Sequence, residues 1–143
     1  MTKSSDPVRV ALAQIPARLG EVEGNLDAHL RIAERAAREG ARLVLFPELS
    51  LTGYELRDLT PDVALRPSPD DPRFARLLEA SREISIAVGF VEEAESHLFH
   101  NSAAYLESGR VVHVHRKVHL PTYGMFDEGR RSEERRVGKE CRL

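Results

Sequence analysis

Two short apolar runs on either side of one amphipathic stretch constrain this chain more than any other feature. Residues 8–15 read VRVALAQI, β-branched and apolar with little polarity on either face, the pattern of a strand buried on both sides. Asn25 then offers a side-chain cap and Asp27 a first-turn charge, while Leu26, Leu30, Ala33 and Ala37 recur at helical spacing until Gly40 ends the run. Residues 42–46 (RLVLF), closed by Pro47, form a second apolar strand. Strand, helix and strand within about forty residues predict a β–α–β unit whose two strands lie parallel.

The rhythm continues. Pro61, Pro67, Pro69 and Pro72 break the chain into a loop with at most short helical pieces. Phe74, Leu77, Leu78 and Ser81 mark another helix from Arg73 onward, followed by a strand over 86–93. Two further strands, 98–106 and 110–116, are separated by Glu107, Ser108 and Gly109, a turn of hairpin length that predicts antiparallel pairing. The fold class is therefore α/β.

The chain's 143 residues, 41% of them hydrophobic, suffice for one globular domain. A net charge of -2 gives no global field favouring nucleic acid or an anionic membrane. One cysteine excludes an intramolecular disulfide framework, and neither a secretory leader nor a long apolar span is visible, so the expectation is a cytoplasmic protein. After Arg130 the character changes: RRSEERRVGKECRL is mostly charged, too poor in apolar residues for a buried strand. The expected division is one domain over 1–130 and a disordered or non-native tail over 131–143.

Two motifs carry chemistry. In 46–54 (FPELSLTGY) Glu48 stands immediately after a buried parallel strand, where ligands of open α/β sheets collect. Desolvation there would raise its pKa and suit it to general-base work, although a turn cap or a surface ion pair is the better account of a glutamate taken alone. In 114–121 (VHRKVHLP) Lys117 ends another strand and could supply positive charge to a developing oxyanion; alone, it reads as an exposed strand-end lysine.

Together the FPE strand end, the NSAAYL run and the segment HVHRKVHLPTYGMFDEGR resemble the nitrilase superfamily of carbon–nitrogen hydrolases, and within it the glutamine-hydrolysing domain of glutamine-dependent NAD synthetases. The resemblance covers about 8–130. It implies an α–β–β–α sandwich, of which this chain holds the N-terminal half. It also implies Glu48 as general base, Lys117 as oxyanion-stabilising cation and a downstream cysteine as nucleophile, with no metal or cofactor. Tyr123 and Glu128 match the segment that lines the pocket, as substrate-binding residues, with Glu128 orienting the lysine or the substrate amine. A packed loop tyrosine and a surface carboxylate explain them equally well. A small-molecule amide substrate, a homo-oligomer and an ammonia-accepting synthetase domain or partner follow from the same resemblance, with no role for nucleic acid or membrane.

The motif match stops at Arg131, before the strand that would deliver the cysteine, so the expectation is a truncated or frameshifted chain without its nucleophile. Cys141, in KECRL, lacks the preceding apolar strand that would preorganise it. His97, His100, His113, His115 and His119 cluster in sequence, but carboxylate or thiolate partners at zinc spacing are missing, and partly buried strand histidines explain them. The expected activity is hydrolysis of a linear amide such as the side chain of glutamine, with the chain as given inactive. A non-catalytic binding half-domain is the alternative.

Overall fold

A computed structural model describes residues 7–118 other than 55, 57, 58 and 96. Among these, five strands and three helices follow in the order β1 (Val10–Leu12), α1 (Val22–Arg38), β2 (Leu43–Leu45), α2 (Thr60–Val63), α3 (Pro72–Ala80), β3 (Ser85–Glu93), β4 (Phe99–Glu107) and β5 (Arg110–Arg116). The strands form one sheet in chain order. β1, β2 and β3 are parallel, and β3, β4 and β5 run as an antiparallel meander. The β–α–β unit and the hairpin expected from the sequence are both present.

Helix α1 starts four residues earlier than the Asn25 cap predicts, with Glu21 at the cap position, because Asn25 is engaged elsewhere. Its buried carboxamide accepts from the Arg18 N–H at 2.9 Å and donates to the Arg18 carbonyl at 2.8 Å and the Leu51 carbonyl at 3.0 Å, tying two loops to the helix. Glu23 in the first turn and Arg35 and Arg38 in the last complement the helix dipole. The helix closes in a Schellman motif: Ala41 N–H reaches the Ala36 carbonyl and Gly40 N–H the Ala37 carbonyl, with Gly40 at φ 80°. Helix α3 begins where Asp71 accepts from the Arg73 N–H at 2.9 Å and Pro72 supplies the first turn.

Both long helices cover one face of the sheet. Leu26, Phe74 and Leu77 meet Val44, Ile86, Phe90 and Leu106, all of them fully buried, and the Phe74 and Phe90 rings tilt together at 5.3 Å between centroids. Arg76 of α3 joins the helices by pairing with Glu23 and Asp27 of α1. The other face of the sheet is open. Val10 is 43% exposed and Leu12 77% exposed, which corrects the expectation of a first strand buried on both sides. A continuous apolar run signals two contact faces, and among the described residues only one is covered.

Residues 64–66 fill the place beside the end of β3 that β2 leaves vacant, with Leu65 N–H bonded to the Val91 carbonyl and Glu93 N–H to the Leu65 carbonyl, both at 2.9 Å. In the β4–β5 turn Ser108 and Gly109 both take positive φ, as a two-residue type I′ hairpin requires.

The 47–53 turn that follows β2 lies directly on β3 at Gly89. A Cβ there would stand 2.6 Å from the Leu49 nitrogen and 2.8 Å from the Glu48 Cα, both backbone atoms. Gly89→Ala is therefore expected to push the turn off the sheet and to destabilise the chain by about 1–3 kcal/mol, measured as a lowered urea midpoint with an unchanged slope.

Candidate active site

Three strands deliver the polar groups that meet at the open face. Glu48 stands just beyond β2, Asn101 lies in β4 and Lys117 immediately follows β5. Lys117 Nζ donates to Glu48 Oε1 at 2.7 Å, and Asn101 Nδ2 donates to the same oxygen at 2.8 Å. Tyr54 Oη, from the end of the 47–53 turn, donates to Oε2 at 2.9 Å. The Lys117 backbone N–H is bonded to the Asn101 carbonyl at 2.8 Å, so Asn101 holds the main chain of one partner and the side chain of the other. Glu48, Asn101 and Lys117 line a cleft of about 760 Å³ with Phe46, Ala87 and Gly89 in its wall.

The turn carrying Glu48 is anchored from below by α1. His29, fully buried, makes a 2.7 Å bond from Nδ1 to the Asn25 carbonyl and a 2.8 Å bond between Nε2 and the Ser50 hydroxyl, and its ring lies 4.2 Å from that of Phe46. The carbonyl can only accept, so Nδ1 carries the proton and Nε2 receives the Ser50 hydroxyl. Burial pushes the His29 pKa down to about 4 from an ordinary 6.5, partly countered by the bond to the Asn25 carbonyl.

The expected raised pKa of Glu48 is corrected. Burial does push it up, but the hydrogen bonds from Lys117, Asn101 and Tyr54 and the Lys117 charge together outweigh that, and the carboxyl lies below its ordinary value. The position at a strand end is half-open, and a neighbouring cation favours the charged form more than partial burial opposes it.

Glu48 and Lys117, distant in sequence, are thus in direct contact. Asn101 and Tyr54 join them, although neither was assigned a role from the sequence. The one available signal was their presence inside the quoted motifs, Tyr54 ending FPELSLTGY and Asn101 opening NSAAYL. Tyr123, Glu128, His119 and Cys141, and the division at 131, lie outside the described residues. Of the clustered histidines, His97 pairs with Glu93 at 2.7 Å and His113 faces His115 at 6.4 Å between ring centroids. Among the described residues no three metal-ligating side chains converge, and no helix is long and apolar enough to cross a membrane.

A model of the carbon-nitrogen hydrolase family matches residues 9–140, and the chain belongs to that family. Its relatives include the glutamine-dependent NAD(+) synthetase of Acinetobacter baylyi, 36% identical over 125 residues, and that of Xanthomonas campestris pv. campestris, 36% identical over 138 residues. These matches cover 85% and 94% of this chain but 22% and 24% of those proteins, so the chain spans less than a quarter of their length. Among solved structures, glutamine-dependent NAD+ synthetase from Acinetobacter baumannii superposes with a TM-score of 0.71 at 35% identity, covering 87% of this chain and 23% of that one. An amidase from Nesterenkonia sp. superposes equally well, with a TM-score of 0.71 at 28% identity, covering 87% of this chain and 46% of that one. The fold is that of the nitrilase superfamily over its N-terminal part.

Two outcomes follow from these environments. Between pH 6.5 and about 4 the unfolded chain binds a proton at His29 that the folded chain does not, so stability should fall as the pH drops through that window. The full loss is on the order of 3 kcal/mol; denaturant titrations from pH 7 to 5 should show the slope in the wild type and a flatter one in His29→Gln. Replacing Lys117 by Met leaves burial as the dominant influence on Glu48, so its carboxyl should titrate at higher pH than in the wild type, read by ¹³C NMR of the side-chain carbon.

Proposed function

We propose that Glu48 and Lys117 are two members of the catalytic group of an amide-cleaving carbon–nitrogen hydrolase, the third being a cysteine thiol other than Cys141. The observation that carries this reading is the 2.7 Å contact between Glu48 and Lys117 at the mouth of a cleft lined by strand ends. The family assignment and the amidase and synthetase relatives support it. A structure of a mutant of the Nesterenkonia amidase shows covalent addition of the acetamide moiety of fluoroacetamide at that protein's active-site cysteine.

In this reading Glu48, ionised at neutral pH, takes the thiol proton and the thiolate attacks the amide carbon. The carbonyl oxygen gains negative charge, and the Lys117 ammonium turns toward it. Loss of that hydrogen bond returns proton affinity to Glu48, since burial pushes its pKa up once the cation is engaged elsewhere. Glu48 then passes the proton to the departing amine, and the same carboxylate activates the water that hydrolyses the thioester. Asn101 and Tyr54 keep the carboxylate aimed throughout.

The substrate class is a linear amide, and the side-chain amide of glutamine is the form that the relatives' names favour. Ammonia released there would serve a synthetase domain or partner in the parent protein, which we expect to be a homo-oligomer. Cys141, the chain's one cysteine, lies in the charged sequence KECRL with no apolar run before it, and we assign it no catalytic role.

The test is ammonia release from glutamine and from short aliphatic amides by the product of the complete reading frame. Glu48→Gln and Lys117→Met should each lower kcat by about 10²–10³ while the protein stays folded by circular dichroism. Retention of activity by either variant would sink the assignment, and no ammonia release by the wild type would favour a non-catalytic binding half-domain.

A further inference from the structure

Lys117 and its neighbour Arg116 are adjacent cations at the end of the sheet, yet they point to opposite faces and each meets its own carboxylate. Arg116 reaches Glu92 of β3 with two bonds, Nε to Oε2 at 2.9 Å and Nη2 to Oε1 at 2.7 Å. Glu92 is buried, its side chain only 5% exposed, and its Oε2 also accepts from the Ser102 hydroxyl of β4 at 2.7 Å. Ser102 stands directly opposite Arg116 in the ladder. One buried carboxylate thus ties together three strands, at the register position immediately before the catalytic lysine.

From this geometry we propose that the Glu92–Arg116 fork is a positioning element, which sets the direction in which β5 presents Lys117. The inference rests on the reading of Lys117 and Glu48 as a catalytic pair. Side chains of successive strand residues leave on opposite faces, so an Arg116 held to the helix-covered side commits Lys117 to the open side. Strand ends are where sheets open first, and among the described residues β5 is an edge strand, its last residue Arg116. Two parallel N–H···O bonds fix the guanidinium in plane as well as in distance, which a single bond to a lysine would not do. The fork also sorts charge. With Glu92 engaged by Arg116, the two neighbouring cations are kept on different carboxylates, and Glu48 is left to Lys117.

The rival account is that the fork merely stabilises the sheet. It differs in sign from ours for one observable, the acylation rate of the Lys117 amine. Removing the nearby Arg116 charge alone makes Lys117 hold its proton more firmly and react more slowly. Losing the direction of the side chain frees it from Glu48 and makes it react faster. Trace labelling of the 143-residue chain with acetic anhydride at pH 8, read by mass spectrometry on the Lys117 peptide against N-acetyl-lysine amide, separates the two.

Arg116→Gln should raise the rate about threefold, the size an exposed ion pair allows, with Arg116→Lys in between. Glu92→Gln should raise it too, but loss of the Glu92 charge acts in the same direction there, so the arginine variants decide. Rates are compared only where β3–β4 amide exchange stays native. If Arg116→Gln or Glu92→Gln opens that hairpin, the Arg116→Lys rate decides, since that variant keeps the charge and loses the fork. Unchanged or slower labelling in the folded variants overturns the positioning role. Glu48→Gln is the control for the underlying pair: if it leaves the wild-type rate unaltered, the catalytic-pair reading fails. If it deprotects Lys117 while the Arg116 and Glu92 variants do not, that reading stands and the positioning role alone falls.

Discussion

The close approach of the 47–53 turn to β3 at Gly89 is the contact on which the rest of this architecture depends. β3 is shared by both halves of the sheet, parallel to β2 on one side and antiparallel to β4 on the other. Whatever seats the β2 end against β3 therefore sets the distance from Glu48 to the hairpin that carries Asn101 and Lys117. A hydrogen atom in place of a side chain lets the Leu51 N–H reach the Gly89 carbonyl and brings the Glu48 backbone into van der Waals range of the strand. Leu49 meets this demand with φ near 49°, in the left-handed region that non-glycine residues seldom occupy.

From the helix side, Asn25 and His29 complete the clamp through Leu51 and Ser50. Both are buried polar residues, which cost free energy unless their hydrogen bonds are made. One partner of each, the Leu51 carbonyl and the Ser50 hydroxyl, belongs to the turn that carries Glu48, so α1 and the turn gain or lose order together. The carboxylate that results is charged, half-exposed and hydrogen-bonded by three side chains. Such a group differs from the desolvated base that a strand-end glutamate suggests, because the cation and the amide arrive from strands more than fifty residues away.

The legible parts of the fold were those set by local pattern. The β–α–β unit shows in the spacing of Leu26, Leu30, Ala33 and Ala37 between two apolar runs, and the hairpin in Ser108-Gly109 between alternating strands. Gly40 ends α1 as its conformational freedom suggests. The start of α1 was misplaced because an asparagine before an apolar run looks the same whether it caps the helix or bonds to a distant carbonyl. Glu48 and Lys117 were legible as a family motif, whereas Asn101, Tyr54 and His29 were not assigned, since a single polar residue carries no periodic signal.

By itself the sequence determined the class of the fold, the order of its elements, the parallel and antiparallel halves of the sheet and the family to which the motifs belong. These depend on periodicity, turn chemistry and short strings of residues, all of which act within a few positions along the chain. Only the tertiary structure decided which face of β1 is covered, which carboxylate each of Arg116 and Lys117 meets, and that the Glu48 pKa lies below its ordinary value. Those outcomes are sums over groups brought together by strand register. A charge's environment is set by neighbours in space, and the chain order does not list them.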